Sequence, residues 1–468
     1  MGLVGVLVLN LLLLAVGYAL LSGPLRAARW MTRATFGGVA LLVGAGAVGV
    51  VLGTLAVFGL RIGLGALFVT CVLLLAAGAA GAFLVRARIE DQPAPVAPRS
   101  RLEDGIAVAA AYGVAAVLAV ALVGAFRSSP WLDDTWFFWL PKGIALETLG
   151  LDARLFAPND EYVFFERTDN PYWWSILLNL DRRFVGDVDM RAVNVQLTLL
   201  GVAFVAASAR LLWGRVRPSV LWPALLVITA APEFLRQLQG GPADIALGIY
   251  LALFALCGGL WLVSRNGTYL GLATVFGAAG IACKGEGMPQ LVLVALVVGA
   301  VGFLVQRRAP VGLAASAGIA VLTLAPWYVW RAVADVPQVF SLRDAVNPAY
   351  LLDHTDRAES GARIIGEHLV DPGEWSLVVV LVVALSVAGA LRERRAVWLA
   401  PAAYLGAAYL LWIWLAWADP LAEFRLIHSA YRYVDAMVLT AAVALPVLAE
   451  RHLALRTSPA HQPRRADT

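Results

Sequence analysis

The sequence predicts an all-α polytopic membrane protein of about thirteen transmembrane helices, and three observations carry that prediction. Of its 468 residues 60% are hydrophobic and only 15% charged, with a mean hydropathy of +0.77, more apolar surface than a soluble chain can hide. The apolar residues gather into windows of bilayer-spanning length. The connections between those windows alternate between basic and acidic character.

In order, the windows fall near 3–23, 36–60, 63–85, 105–126, 191–213, 218–231, 242–263, 268–283, 288–306, 311–330, 375–391, 396–417 and 431–449, the sixth and eighth being short. The first has no basic region before it and no small-residue cleavage site after it; Arg26, Arg29 and Arg33 follow it instead. It reads as a retained helix with its N-terminus outside. Threading thirteen spans puts segments 24–35 and 86–104, "GRVRP", "QRRAP", "RERR" and the tail after Glu450 on one side. These are short and basic, so that side is expected to be the cytoplasm. The opposite side receives two long loops, 127–190 and 331–374, and the shorter 418–430, which together hold most of the acidic residues. Ala, Gly, Val and Arg are heavily used, as in a GC-rich bacterial genome, so the expected location is a bacterial plasma (inner) membrane. Cys71, Cys257 and Cys283 all fall in apolar segments and form no disulfide framework or metal spacing.

The first long loop is dense in aromatic residues, from Trp131, Trp136, Phe137, Phe138 and Trp139 to Tyr172, Trp173 and Trp174. Such a loop suits helices lying in the headgroup layer with their rings to lipid. It opens with "PWLDDTWFFWLPK" (130–142). Ser129–Pro130 reads as a helix start, which puts Asp133 and Asp134 in or near a first turn that favours ionised carboxylates. Either could take a proton from a hydroxyl, with its neighbour about 100° round the helix; the ordinary alternative is an N-terminal charge pair. "FFERTDNPYWW" (164–174) supplies Glu166 and Asn170 before a proline, or is simply a polar turn before an interfacial helix.

Asp244, in "GGPADIALGIY", stands just inside the outer end of a span, where a carboxylate needs a partner, a cavity or a capping role. Lys284, in "ACKGEGMPQ", is one of only two lysines in the chain, with Lys142. It could meet a phosphate as a point charge or snorkel from a helix end. In "EFRLIHSAYRYVD" (423–435), Arg425, His428 and Arg432 would share a helical face suited to phosphate, or would anchor the interface. "DHTD" (353–356), with His368 nearby, matches no strong ligand spacing and reads as a loop turn. All these groups lie at the outer side and none at mid-span, a distribution that favours surface chemistry over ion-coupled transport.

Taken together, the motifs resemble the GT-C superfamily of integral-membrane glycosyltransferases, especially its protein O-mannosyltransferase and lipid A aminoarabinose transferase branch. "LDD", "FERTDNPYWW", "PADIALG", "CKGEG" and "YRYVD" stand in that family's order over 105–449. Seven helices before a second large external loop also agree with 105–330. The chain would then comprise a three-helix extension (1–104), a seven-helix catalytic module (105–330) and a C-terminal part (331–468) with the second external loop and a cytoplasmic tail. Departures are the added first three helices, an Asp-Asp rather than Asp-Glu pair, and Arg-Thr-Asp-Asn-Pro in place of Lys-Pro-Pro.

The resemblance implies a polyprenyl-phosphate sugar as donor and an acceptor hydroxyl on a glycan, lipid or protein outside the cytoplasm, with inversion at the sugar. It implies Asp133, then Asp134, as general base. Asp244, Glu166 and Asn170 would position acceptor or sugar. Lys284, Arg425, Arg432 and His428 would bind phosphate, with Lys142 and Arg236 in reserve. It implies no certain cofactor and leaves a divalent cation open, and membrane lipids but no nucleic acid are expected as partners. The rival readings are a lipid-linked glycan ligase or polymerase, a lipid-linked-sugar flippase or transporter, and a scaffold that binds a partner through its loops.

Overall fold

The structure is a computed structural model, and it describes residues 2–25, 30–84, 100–151, 170–336 and 342–457. Among the described residues there are helices and no strand. Ten of the thirteen apolar windows fall mainly on a single helix each; 311–330 and 431–449 are each divided between two helices, and 396–417 between a 3-10 turn and a helix. Among the described residues ten helices are long and apolar enough to cross a membrane, from Gly37–Val57 to Ala422–Leu453. An eleventh candidate is the pair Pro218–Thr229 and Pro232–Gly240, bent by 57°. The remaining two, Val4–Leu20 and Gly267–Cys283, have 17 residues each. At ~1.5 Å per residue they stand at the lower limit, about 17 residues, for crossing a ~30 Å hydrocarbon core. The bend in the pair follows from Pro232, which lacks the N–H that would continue the ladder. It turns residues 232–240, which fall outside the predicted window ending at 231, into a short separate helix.

The N-terminal helices are not an appendage to the rest. Asn10 and Gln196 exchange amide hydrogen bonds of 2.6 and 3.2 Å, tying the first helix to Arg191–Leu212. Trp173 Nε1 donates to the Ala45 carbonyl at 3.1 Å, and the Tyr250 hydroxyl donates to that of Leu42 at 3.2 Å. Glycines allow this closeness: a Cβ on Gly17 would overlap the Ala40 carbonyl, and one on Gly44 that of Leu13. Gly49 and Gly53 leave room for the Trp173 and Tyr172 rings in the same way. One buried apolar cluster accordingly runs from Leu9 to Leu445, across all three predicted divisions of the chain.

We expect Gly49→Ala to cost about 1–3 kcal/mol, because the buried Trp173 ring must move off its carbonyl acceptor. Thermal unfolding in detergent measures this. Gly81→Ala, where nothing lies within 4 Å, is the matched control and should raise the midpoint slightly, by about 0.4–1 kcal/mol of helix propensity.

Loops predicted to share a side do meet. Arg217 pairs with Glu103 at 3.3 Å and with Glu450 at 2.9 Å, and Arg451 pairs with Glu393 at 2.6 Å. These contacts join four of the basic segments at one end of the bundle. The predicted loop 331–374 holds helices Leu342–Ala345, Pro348–Asp353 and Thr355–Val370, and packs at the other end.

Candidate functional site

The helix carrying the paired carboxylates starts at Asp133, four residues later than expected. Asp133 is exposed, and its Oδ1 accepts the Asp134 backbone N–H at 2.9 Å. A wide turn follows over Thr135–Trp139, where the Leu140 N–H bonds back to the Thr135 carbonyl rather than to Trp136. Pro141 accounts for it: the ring removes a donor and would crowd the carbonyl four residues back. With one residue more in the turn, Phe138 and Trp139 are buried, and Asp134 is aimed into the bundle.

Asp134 meets Arg432 there. The Arg432 guanidinium donates from Nη1 to Asp134 Oδ2 and from Nη2 to Ser429 Oγ at 2.6 Å. Arg432 is 3% exposed, in the helix Ala422–Ala442. Beside it Lys284 Nζ donates to Asp244 Oδ1 at 2.7 Å and lies 3.5 Å from Glu286. Both side chains are buried, 2% and 5% exposed, so Lys284 does not snorkel to the surface. Asp244 stands in the first turn of Ala243–Ser264, as predicted, and is close enough to act electrostatically on Arg432. The Lys284 ammonium also lies 5.7 Å from the Tyr433 ring centroid. Four predicted residues from four separate segments thus form two neighbouring ion pairs, buried except for Asp134, which is 17% exposed.

Asn170 and Lys142 brace this centre from behind. Asn170 Oδ1 accepts the Gly285 N–H at 2.9 Å, fixing the turn that carries Lys284. Buried Lys142 donates to the Asn170 carbonyl, with its ammonium 5.3 Å from the Phe138 ring and 5.5 Å from Trp327. Its observed role is to hold two parts of the first loop together. The loop aromatics also differ from expectation: Trp139, Tyr172, Trp173 and Trp174 pack into the core, while Trp131, Trp136 and Phe137 stay exposed. Glu166 lies outside the described residues.

The basic face predicted on the last helix does not assemble as one patch. Arg425 is held by Asp419 at 2.6 Å, two turns from Arg432, and His428 is exposed against Phe424. Arg236 likewise is engaged, by Glu233 and by Glu374 at 3.4 Å, and rests near the Trp131 and Tyr431 rings.

Arg236 marks a second polar group that the sequence reading missed. Gln237 donates to Glu233 at 2.5 Å, His368 lies 2.8 Å from Glu374, and Trp375 Nε1 donates to Asp435 Oδ1 at 2.8 Å. Glu233 was hidden because it falls just past a predicted span. Asp435 did carry a signal, being a carboxylate inside the last span. The Glu374 hydrogen bond holds the His368 imidazole above its ordinary value. That sign makes the pair stabilising below the unfolded-state pKa and lost as pH rises through the raised folded-state value. The gap in unfolding midpoint between wild type and His368→Gln should therefore be wide near about pH 6 and close by about pH 9.

Among the described residues no group of three or more His, Cys, Asp or Glu side chains is placed to hold a metal ion. Comparison with protein-family models, with curated proteins and with solved structures gives no match.

Proposed function

We propose that the chain is a glycosyltransferase that moves a sugar from a polyprenyl-phosphate donor to an acceptor hydroxyl on the extracytoplasmic face of a bacterial plasma membrane. In this reading thirteen spans leave the N-terminus outside and the C-terminus in the cytoplasm. The observation that carries the reading is that Asp134–Arg432 and Asp244–Lys284 are neighbours, with every side chain but that of Asp134 buried.

Both cations are matched by carboxylates. A phosphate arriving at Arg432 would compete for its guanidinium, which can present further N–H donors, its Nε among them, without moving far. Asp134 would then be released from its strongest partner and become more basic. The acceptor oxygen attacks the anomeric carbon as its proton passes to Asp134. The bond from that carbon to the phosphate oxygen breaks, and the electron pair leaves with the lipid phosphate. Arg432 and Lys284 stabilise the charge that develops on it. A single displacement of this kind inverts the anomeric centre. Asp244 keeps Lys284 charged and in place.

The test is incubation of the purified protein with a panel of radiolabelled polyprenyl-phosphate sugars and an envelope extract as acceptor. Transfer of label with release of polyprenyl phosphate is expected for at least one donor. Neither binding nor turnover across the panel would overturn the proposal.

A further inference from the structure

Trp131, three residues before Asp134, is 51% exposed and yet fixed in place: its Nε1 donates to the Arg236 carbonyl at 3.4 Å. Its ring is stacked on that of Tyr431, with centroids 6.5 Å apart and planes 25° from parallel. Arg236 reaches over both, its guanidinium carbon 5.9 Å from the Trp131 centroid and 5.1 Å from that of Tyr431. The His368 ring stands 6.1 Å from Tyr431. Four segments far apart in the chain therefore build one open ring platform. An interfacial anchor keeps its apolar body in lipid and turns its N–H toward the headgroups. Trp131 does neither. Its N–H is spent inward, and beside it stand a guanidinium and, past Tyr431, an imidazole, both held by the Glu374 carboxylate.

The platform runs into the charged centre. The Tyr431 centroid is 5.7 Å from the Arg432 guanidinium carbon, and that guanidinium donates to Asp134, the one partly exposed member of the two ion pairs. Two steps, of 6.5 and 5.7 Å, thus lead from the open indole to the arginine that holds the assigned base. The charge around the rings says what would settle on them. Arg236 is matched by Glu233 and Glu374, so it offers hydrogen-bond donors with little net positive charge. Behind the rings, Gln237, Glu374 and Asp435 each keep one oxygen without a donor. Such an acceptor-rich setting disfavours a phosphate or an acidic peptide. An open aromatic face takes C–H groups, and polar groups at its edge take hydroxyls, which both donate and accept. A sugar ring presents C–H groups on its face and hydroxyls around its rim.

We propose that the acceptor is a carbohydrate, one ring of which stacks on the open face of Trp131 beside Tyr431. Its rim hydroxyls bond to Arg236 and His368, and the reacting hydroxyl, on that ring or on the next unit, is delivered to Asp134. The inference rests on the glycosyltransferase reading for the reaction, and it narrows the acceptor from a glycan, lipid or protein hydroxyl to the first of these. His368 gives Nδ1 to Glu374 and keeps Nε2 for the ligand. Trp131, Tyr431, Arg236 and His368 are binding residues in this arrangement, and Asp134 alone takes the proton.

The experiment uses the purified full-length protein in a detergent without a sugar headgroup, with no donor added. Soluble neutral oligosaccharides of hexose, N-acetylhexosamine and pentose units are titrated in, and saturation-transfer NMR follows their C–H protons. At least one is expected to bind, with the strongest transfer to the protons of one ring face. Trp131→Ala should weaken that binding about tenfold, the size of a ring-stacking contribution. Trp131→Phe, which keeps a ring, should stay within about threefold of wild type. Trp213→Ala removes an exposed ring beside the Arg217 ion pairs and should bind as wild type does. A serine- and threonine-rich peptide and a short-chain diacylglycerol, which carry protein and lipid hydroxyls, should compete about tenfold less well. Absence of saccharide binding across the panel would overturn the inference. So would binding indifferent to Trp131→Ala, or Trp131-dependent binding of the peptide or the diacylglycerol in place of a saccharide. Because no donor is present, the two proposals fail separately. Transfer that proceeds at the wild-type rate in Trp131→Ala onto peptide or lipid sinks only this one, and Trp131-dependent saccharide binding without transfer from any donor sinks only the enzymatic one.

Discussion

Asp134→Asn is expected to lower sugar transfer by about 10²–10⁴-fold, the range that a positioned general base contributes. Asp133→Asn should stay within a few fold of wild type. The sequence alone ranks the two the other way. The structure separates them, because the exposed Asp133 carboxylate accepts its neighbour's backbone N–H while Asp134 reaches buried Arg432. Both amides are close in size to the acids they replace, and an amide oxygen at 134 can still accept from Arg432, so a folded protein is expected from each, with Asp134→Asn the less stable because buried Arg432 loses its countercharge. Donor turnover, measured beside donor binding, checks the prediction. Retained binding with lost turnover in Asp134→Asn alone is the expected pattern. Equal losses in both variants would mean that the outward carboxylate also meets the acceptor, and full activity in Asp134→Asn would remove the assigned base.

Lys284→Met should be the most damaging single substitution for stability, at about 3–5 kcal/mol, since it strands Asp244 as a buried charge. The double variant Lys284→Met with Asp244→Leu should recover most of that loss, because removing both members of a buried pair is far less costly than removing one. Reversible unfolding in mixed detergent gives both values. Recovery of fold without recovery of transfer would separate the pair's part in catalysis from its part in holding the bundle together. A single variant as stable as wild type would show that Asp244 is reached by water.

How far the site could be read beforehand varies residue by residue. Asp244, Lys284 and Arg432 were legible because charge is scarce in this chain, and each sits where a span ends and a partner is needed. The start of the first loop was legible in composition but not in register. Ser129–Pro130 is a good helix opening, yet the chain begins its helix at Asp133 and then widens over Thr135–Trp139. That widening depends on a proline that follows the turn rather than precedes it. Periodicity also cannot tell a ring facing lipid from a ring filling a notch. Trp173 and Trp174 were therefore expected at the interface, although they donate to the Ala45 and Gly241 carbonyls inside the bundle. Arg425 and Arg432 share a face in sequence, but only pairing with Asp419 and Asp134 respectively shows that they work apart. The partners Glu233, Glu374 and Asp435 come from three segments far apart in the chain, and no local pattern links them.

The glycine-lined face of Gly37–Val57 has a consequence for how the molecule is made. The helix emerges from the ribosome early, but the rings that fill its notch, Tyr172 and Trp173, arrive only after two further long apolar helices, Leu64–Leu84 and Arg101–Ala125, have been synthesised. Throughout that interval Gly49 and Gly53 present bare backbone to lipid or to any neighbouring helix able to approach closely. Closure of that groove therefore waits on an aromatic segment that is synthesised well after the helix it packs against. A nascent chain arrested after Ala125 would keep that groove open, as a docking edge for other small-residue helices in the bilayer.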